Sequence, residues 1–206
     1  MLSFTGILLL GRFYHTRSLV FIFIPWNLFL ALVPLYISHR LSVVHNRRVG
    51  FGLLTAWLLF FPNTMYIITD LFHLHEREGM PQWYDLLILC SAAFSGVVMG
   101  FLSVRNVERY LQGIINPKQV PWVVLLCFFL CGYGIYLGRY LRWNSWSIIT
   151  RPVSLLLDVK QDIFHPIRND QCWMLSILFG IWLYILYKYF KKISITPGAE
   201  PQHPLS

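Results

Sequence analysis

Long apolar stretches recur along the chain and are separated by short polar segments. Five of them approach the roughly 20 residues that a helix needs to cross the hydrocarbon core of a membrane. The predicted spans are 19–37, 50–69, 85–104, 120–138 and 172–190. These stretches lack the alternation of apolar and polar residues that membrane β-strands show, so the pattern predicts helices. We therefore expect an all-α fold, a polytopic bundle of transmembrane helices.

Three further segments do not have the pattern of a membrane span. The apolar stretch 2–10 is too short to cross, and we interpret it as an interfacial segment or as the remnant of a sixth span. The segment 146–167 is only half apolar and is broken by prolines, which favours an interfacial helix. The proline-rich tail 194–206 is expected to be disordered. Residues 1–193 are thus predicted to form a single transmembrane domain.

The composition supports the same class. Hydrophobic residues make up 56% of the chain and charged residues 13%, whereas soluble proteins carry about 25% charged residues. The formal net charge is +8 at pH 7, but the lysines and arginines lie in short clusters between apolar stretches, as membrane-flanking charges do. We therefore expect the lipid bilayer as a partner and no nucleic acid, because a phosphate-binding face would need a folded soluble surface.

The orientation of the bundle rests on its basic loops. Lysine and arginine are almost equally numerous on the two sides of a five-span topology, so their number alone does not decide it. The loops 38–49 and 105–119 carry compact basic clusters, and the positive-inside rule favours placing them in the cytoplasm. The C-terminus is then cytoplasmic as well.

Polar side chains collect at the end of the second span, in the segment FFPNTMYIITDLFHLHER. Asn63, Tyr66, Asp70 and His73 are three or four residues apart, so a continuing helix would place them on one face. A charged group in lipid costs roughly 2.5–3.5 kcal/mol, so this face should point to other helices or to water. These four residues are candidates for binding a ligand. The alternative is structural, with Asn63 and Tyr66 bonded to neighbouring helices and Asp70 at the water boundary.

A metal site at the same place is a weaker hypothesis. Asp70, His73, His75 and Glu76 offer the oxygen and nitrogen ligands that zinc or manganese accepts. His73 and His75 would diverge on a helix, so the helix would have to end near Asp70 for a metal to bind. The sequence indicates no particular cofactor.

A second polar cluster follows the fourth span, in GYGIYLGRYLRWNSW. Four of its side chains are further candidates for ligand binding: Tyr136, Arg139, Arg142 and Asn144. An arginine here can clamp a carboxylate or phosphate, pair with Asp70, or simply reach lipid headgroups. Because the second and fourth spans end on the same side, Asp70 and Arg139 should lie at similar depth.

Several motifs resemble those of a known family. The bacterial integral membrane proteins grouped as domain of unknown function family 1361 resemble this chain over roughly 26–190. The motifs that carry the resemblance are WNLFLALVPL, FPNTMYIITDLFHL, WYDLL and RYLRWNSW followed by TRP. The resemblance implies a bacterial cytoplasmic membrane setting, but no activity, cofactor or catalytic residue. It also implies a form in which another apolar segment precedes the first span, which makes six spans the alternative to five.

Three functions stay open at this point. In the leading hypothesis the protein binds or transports a small polar or lipid-headgroup ligand at its non-cytoplasmic face, through Asp70, His73, Arg139 and Arg142. In the second it is an enzyme acting on a lipid or lipid-linked substrate, with Asp70 or His73 as general base or metal ligand. In the third it is a non-catalytic assembly partner or homo-oligomer, because the third and fourth spans carry faces of small residues.

Overall fold

A computed structural model describes residues 1–75, 79–143, 147–165 and 169–195, without the side chains of residues 148, 149 and 195. Its regular elements are all helical, which confirms the predicted all-α class. The elements are α1 (Leu2–Thr16), α2 (Phe23–Leu41), α3 (Arg47–Phe60), α4 (Pro62–Tyr66), the 3-10 helix η1 (Ile67–His73), α5 (Gln82–Gln112), α6 (Val120–Arg139), α7 (Ser147–Thr150), α8 (Pro152–Phe164) and α9 (Asp170–Ile195).

Four helical stretches in the described ranges are long and apolar enough to cross a membrane. They are Arg47–His73, Gln82–Gln112, Val120–Arg139 and Asp170–Ser194. These stretches contain the second to fifth predicted spans, mostly with wider bounds. The longest, α5, has 31 residues and extends about 46 Å at 1.5 Å per residue, well beyond the hydrocarbon thickness.

The first predicted span, 19–37, differs from the helix that forms there. Helix α2 begins only at Phe23 and continues to Leu41, so it omits apolar residues at its start and takes in His39 and Arg40 near its end. It is not among the four stretches given above. A count of five or six spans is therefore not confirmed.

Pro62 divides the second span. Helix α3 ends at Phe60, and Pro62 begins α4 because proline lacks an N–H and clashes with the preceding turn in a helix interior. The chain then tightens into the 3-10 helix η1. No single α-helix therefore runs through this region. With three residues per turn in η1, Asp70 and His73 still share one face.

The N-terminal helix is longer than the predicted apolar stretch 2–10. It is α1, a 15-residue helix that packs along α5. The hydroxyls of Thr5 and Ser91 are 2.9 Å apart, and Arg12 is ion-paired with Asp85. Helix α1 thus lies against the side of α5, a helix that is long and apolar enough to span a membrane.

Small residues allow the helices to approach closely inside the bundle. A Cβ atom added at Gly96 of α5 would lie 2.6 Å from the backbone oxygen of Thr64, and one at Gly134 of α6 would lie 2.6 Å from Cγ of Pro62. The small-residue faces of the third and fourth predicted spans are therefore occupied by α4, within the same chain.

Two ends of the bundle can be distinguished. At one end, called here the site end, η1 and α6 terminate, α2, α5 and α9 begin, and the short helices α7 and α8 connect α6 to α9. The predicted interfacial segment 146–167 contains α7 and α8, while its outermost residues fall outside the described ranges. The predicted tail 194–206 lies outside them from residue 196 onwards, and its first two residues complete α9.

Candidate functional site

Asp70 is the most deeply buried of the predicted site residues that the structure describes, with 2% of its surface exposed. Its Oδ2 accepts a hydrogen bond of 2.8 Å from Nδ2 of Asn27 in α2. Within the part of the chain that the structure describes, this is the one hydrogen bond to the Asp70 side chain. Sequence reasoning missed Asn27, although a polar amide inside an apolar stretch is the usual signal of a hydrogen bond between membrane helices.

Arg139 is the last residue of α6 and lies half-buried against η1. Its Nη1 is 3.2 Å from Nε2 of His73, and its guanidinium lies 5.4 Å from the ring centre of Phe72. Because arginine can only donate, Nε2 of His73 must accept, and the ring is then neutral with its proton on Nδ1. His73 therefore does not neutralise the charge of Arg139 in this arrangement.

The direct pairing of Asp70 with Arg139, one of the alternatives that the sequence leaves open, is absent between these described side chains. No ion pair joins these two described side chains, and their charges interact only through space. Asp70 is held by Asn27 instead, and Arg139 by His73. The contact between η1 and α6 does place the two helix ends at the same depth.

Two other predicted site residues have packing roles. The ring of Tyr66 lies against Gly138, where an added Cβ would be 3.1 Å from Cε2. Asn63 donates a 3.0 Å hydrogen bond to the carbonyl of Phe60 across the turn at Pro62. Tyr66 thus contacts α6, whereas this hydrogen bond of Asn63 is local to its own turn.

The residues of the second predicted cluster lie in different surroundings. Tyr136 stacks between Tyr133 and Tyr140, with ring centres 6.3 and 5.4 Å away. Arg142 is exposed and has a left-handed backbone, with φ of 58°. Asn144 falls outside the described residues. Among the described members of this cluster, Arg139 contacts η1 through His73 and Phe72.

The comparison with family models agrees with the motifs in the sequence. The model described as "Protein of unknown function (DUF1361)" matches residues 26–186, most of the chain. The chain belongs to the DUF1361 family. No curated protein and no solved structure matches it. The matched segment of this DUF1361 protein contains Asn27, Asp70, His73 and Arg139, whereas Arg12 precedes it.

The three described metal candidates of this DUF1361 protein, Asp70, His73 and His75, are not gathered into one site. No group of three or more histidine, cysteine, aspartate or glutamate side chains able to hold a metal occurs in the described ranges. Asp70 faces Asn27, His73 faces Arg139, and His75 is exposed. Glu76 lies outside the described residues.

A buried ion pair at the site end was not anticipated from the sequence. Nε and Nη2 of Arg12 bond to the two carboxylate oxygens of Asp85 at 2.6 and 3.1 Å, and the guanidinium lies 4.7 Å from the ring centre of Phe21. Side-chain exposure is 3% for Arg12 and 2% for Asp85. The available signal was one base and one acid, each beside an apolar stretch where an isolated charge is unfavourable.

Proposed function

We propose that this DUF1361 protein is a multi-pass membrane protein that binds an anionic group at its site end, with Arg139 as the residue that contacts the anion. One observation carries the proposal. The half-buried guanidinium of Arg139 has a neutral acceptor, His73, and an aromatic ring, Phe72, as its partners, and no described carboxylate forms an ion pair with it.

The chemistry of the guanidinium supports an anionic ligand. Arginine presents five donors in a planar fork that matches the oxygens of a carboxylate or a phosphate. Arg139 makes one hydrogen bond to a described side chain, which leaves donors for a ligand. Asp70 is held by Asn27, so its carboxylate does not occupy this fork. A bound anion would add hydrogen bonds that involve charge on both partners, the strongest class in proteins.

The position of Arg139 favours a lipid headgroup over a free solute. Helix α6 has 20 residues, about the length that crosses the hydrocarbon core, so its last residue lies at headgroup level. Phe72 and Tyr140 beside it are 69% and 56% exposed, as aromatic side chains at a membrane boundary are. With the basic loops 38–49 and 105–119 in the cytoplasm, this site is on the opposite side of the membrane.

The proposal can be tested with anionic lipid and with a free anion. The purified protein in zwitterionic detergent is titrated with phosphatidylglycerol, and bound lipid is counted by native mass spectrometry. Inorganic phosphate is titrated separately by calorimetry. We expect Arg139→Ala to weaken phosphatidylglycerol binding by about 10- to 100-fold, the equivalent of a charged hydrogen bond of 1.5–3 kcal/mol. Arg139→Lys should keep part of the affinity, since lysine provides a point charge without the fork.

Arg17 provides a matched control. It lies at the end of α1, and its guanidinium is 5.4 Å from the ring centre of Tyr14, the same separation as between Arg139 and Phe72. Arg17→Ala should leave binding unchanged. Equal losses in both variants would show general attraction by positive charge and contradict the assignment, as would full binding by folded Arg139→Ala. Binding of phosphate but not of phosphatidylglycerol would identify a solute site instead of a headgroup site.

A further inference from the structure

Helix α8 has its acidic residues on the inside. Oδ2 of Asp158 accepts a hydrogen bond of 2.8 Å from Nε1 of Trp143. The carboxylate of Asp162 accepts a hydrogen bond of 3.0 Å from the hydroxyl of Tyr133 and one of 2.7 Å from Nδ2 of Asn169. Asp162 is 3% exposed. An amphipathic helix lying on a membrane normally turns its charged face to water, and α8 turns this face to the protein.

The opposite face of α8 is apolar and uncovered. Four large side chains on it are each 59–68% exposed: Val153, Leu156, Leu157 and Phe164. Their spacing places them on one stripe of the helix. Lys160 lies within this stripe, with Nζ 5.7 Å from the ring centre of Phe164. Exposed apolar side chains in one continuous stripe indicate a binding surface rather than a face in contact with water.

The hydrogen bonds of Asp162 fix the depth of α8 relative to two membrane-spanning helices. Tyr133 precedes the end of α6 at Arg139 by six residues, which is about 9 Å along the helix axis. The backbone oxygen of Asp162 also accepts a 3.2 Å hydrogen bond from Nε1 of Trp173, in the first turns of α9. The second half of α8 therefore lies beside α6 and α9, inside the level at which α6 ends.

We propose that α8 is embedded in the membrane, with the stripe of Val153, Leu156, Leu157 and Phe164 against the acyl chains of one leaflet. Two observations support the proposal: Asp162 lies beside α6 and α9, and both carboxylates of α8 point towards the protein. A helix beside two membrane spans has its outer face in contact with the hydrocarbon of the membrane. Lys160 fits this position, since its long apolar stem lets the ammonium group reach the headgroups from a shallow helix. The proposal is independent of anion binding at Arg139.

Spin labels can compare the environment of the stripe with that of the polar edge beside it. A single cysteine is introduced at Leu156 or Phe164 on the stripe, or at Ser154 or Gln161, which are exposed but polar. The four native cysteines are replaced, and each labelled protein is reconstituted in nanodiscs. Collision rates are measured with oxygen, which concentrates in hydrocarbon, and with a nickel chelate, which stays in water. We expect labels at Leu156 and Phe164 to collide more often with oxygen than with the nickel chelate. For labels at Ser154 and Gln161, the ratio of oxygen to nickel collision rates should be lower.

Two results would overturn the proposal. Labels on the stripe that collide with the nickel chelate as often as those at Ser154 and Gln161 would place α8 in water. Labels that are immobilised and broadened by one another would show a second copy of the chain on this face. If the protein without native cysteines does not fold, Leu156→Cys and Ser154→Cys in the native chain are treated with a membrane-impermeant maleimide. Faster labelling at Ser154 than at Leu156 is expected, and equal labelling would contradict the insertion of the stripe.

Discussion

Removing the carboxylate of Asp85 should destabilise the protein by about 3–5 kcal/mol, the range measured when one partner of a buried ion pair is lost. In Asp85→Leu the guanidinium of Arg12 stays buried, since its side chain is 3% exposed. Its other polar contact among the described residues is a weak 3.4 Å hydrogen bond to Thr16. A guanidinium in an apolar environment without its carboxylate has lost two charged hydrogen bonds and keeps its desolvation penalty.

The double variant Arg12→Met, Asp85→Leu separates the ion pair from the rest of the contact between α1 and α5. Replacement of both charges by apolar side chains of similar volume removes the desolvation penalty together with the attraction. We therefore expect the double variant to be clearly more stable than Asp85→Leu alone. Asp170→Leu is the matched control, because Asp170 is also acidic and in the first turn of a spanning helix, but exposed. The free energy of unfolding of Asp170→Leu should fall by no more than about 1 kcal/mol, the range of a helix-dipole interaction.

The free energy of unfolding of each variant is measured by reversible unfolding in mixed detergent micelles, with helical circular dichroism as the signal. An Asp85→Leu protein within about 0.5 kcal/mol of the parent chain, which is typical of neutral surface substitutions, would refute the reasoning. Additive losses in the double variant would also refute it, because residues in direct contact should show a coupling energy.

Two other substitutions test the packing and the site by the same unfolding measurement. Gly96→Val should destabilise the bundle by at least about 1–3 kcal/mol, because its Cβ would lie 2.6 Å from the backbone oxygen of Thr64. The control Gly52→Ala has open space and should be neutral or stabilising by about 0.5–1 kcal/mol; equal losses in both would contradict this packing. Asn27→Leu should destabilise by about 1–3 kcal/mol, because it removes the 2.8 Å hydrogen bond to Asp70, and an unchanged stability would show that this bond contributes little.

Much of the fold could be predicted from the apolar pattern alone. Windows of about 20 apolar residues locate helices because the backbone in lipid must satisfy its own hydrogen bonds, and four long helical stretches, one of them divided at Pro62, lie where the pattern placed them. The pattern did not indicate the 3-10 helix η1, because an apolar window does not distinguish a 3-10 helix from an α-helix. It also missed the pair of Arg12 and Asp85, because these residues are 73 positions apart and no local spacing relates them.

The candidate site was predicted in part. Asp70, His73 and Arg139 were identified because ionisable groups at the end of an apolar span are unusual. Their partners were not, since partners depend on how each helix is rotated about its axis. At 3.6 residues per turn, Asn63, Tyr66, Asp70 and His73 would share one face, but the chain changes to three residues per turn at Ile67. Tyr66 therefore contacts α6, while Asp70 contacts α2.

Three polar contacts lie at the site end: Arg12 with Asp85, Asn27 with Asp70, and His73 with Arg139. The net charge and burial of each contact show which groups are structural and which are available to a ligand. The pair of Arg12 and Asp85 is neutral as a whole, and both side chains are buried. Asp70 is buried and bonded to the neutral amide of Asn27, so its carboxylate is held inside the bundle and is not exposed to a ligand. Arg139 alone of the three is half-exposed and bonded to a neutral partner. An anion arriving from the membrane boundary meets an arginine whose charge has no direct counter-ion among the described residues, and this difference makes Arg139 the residue to test first.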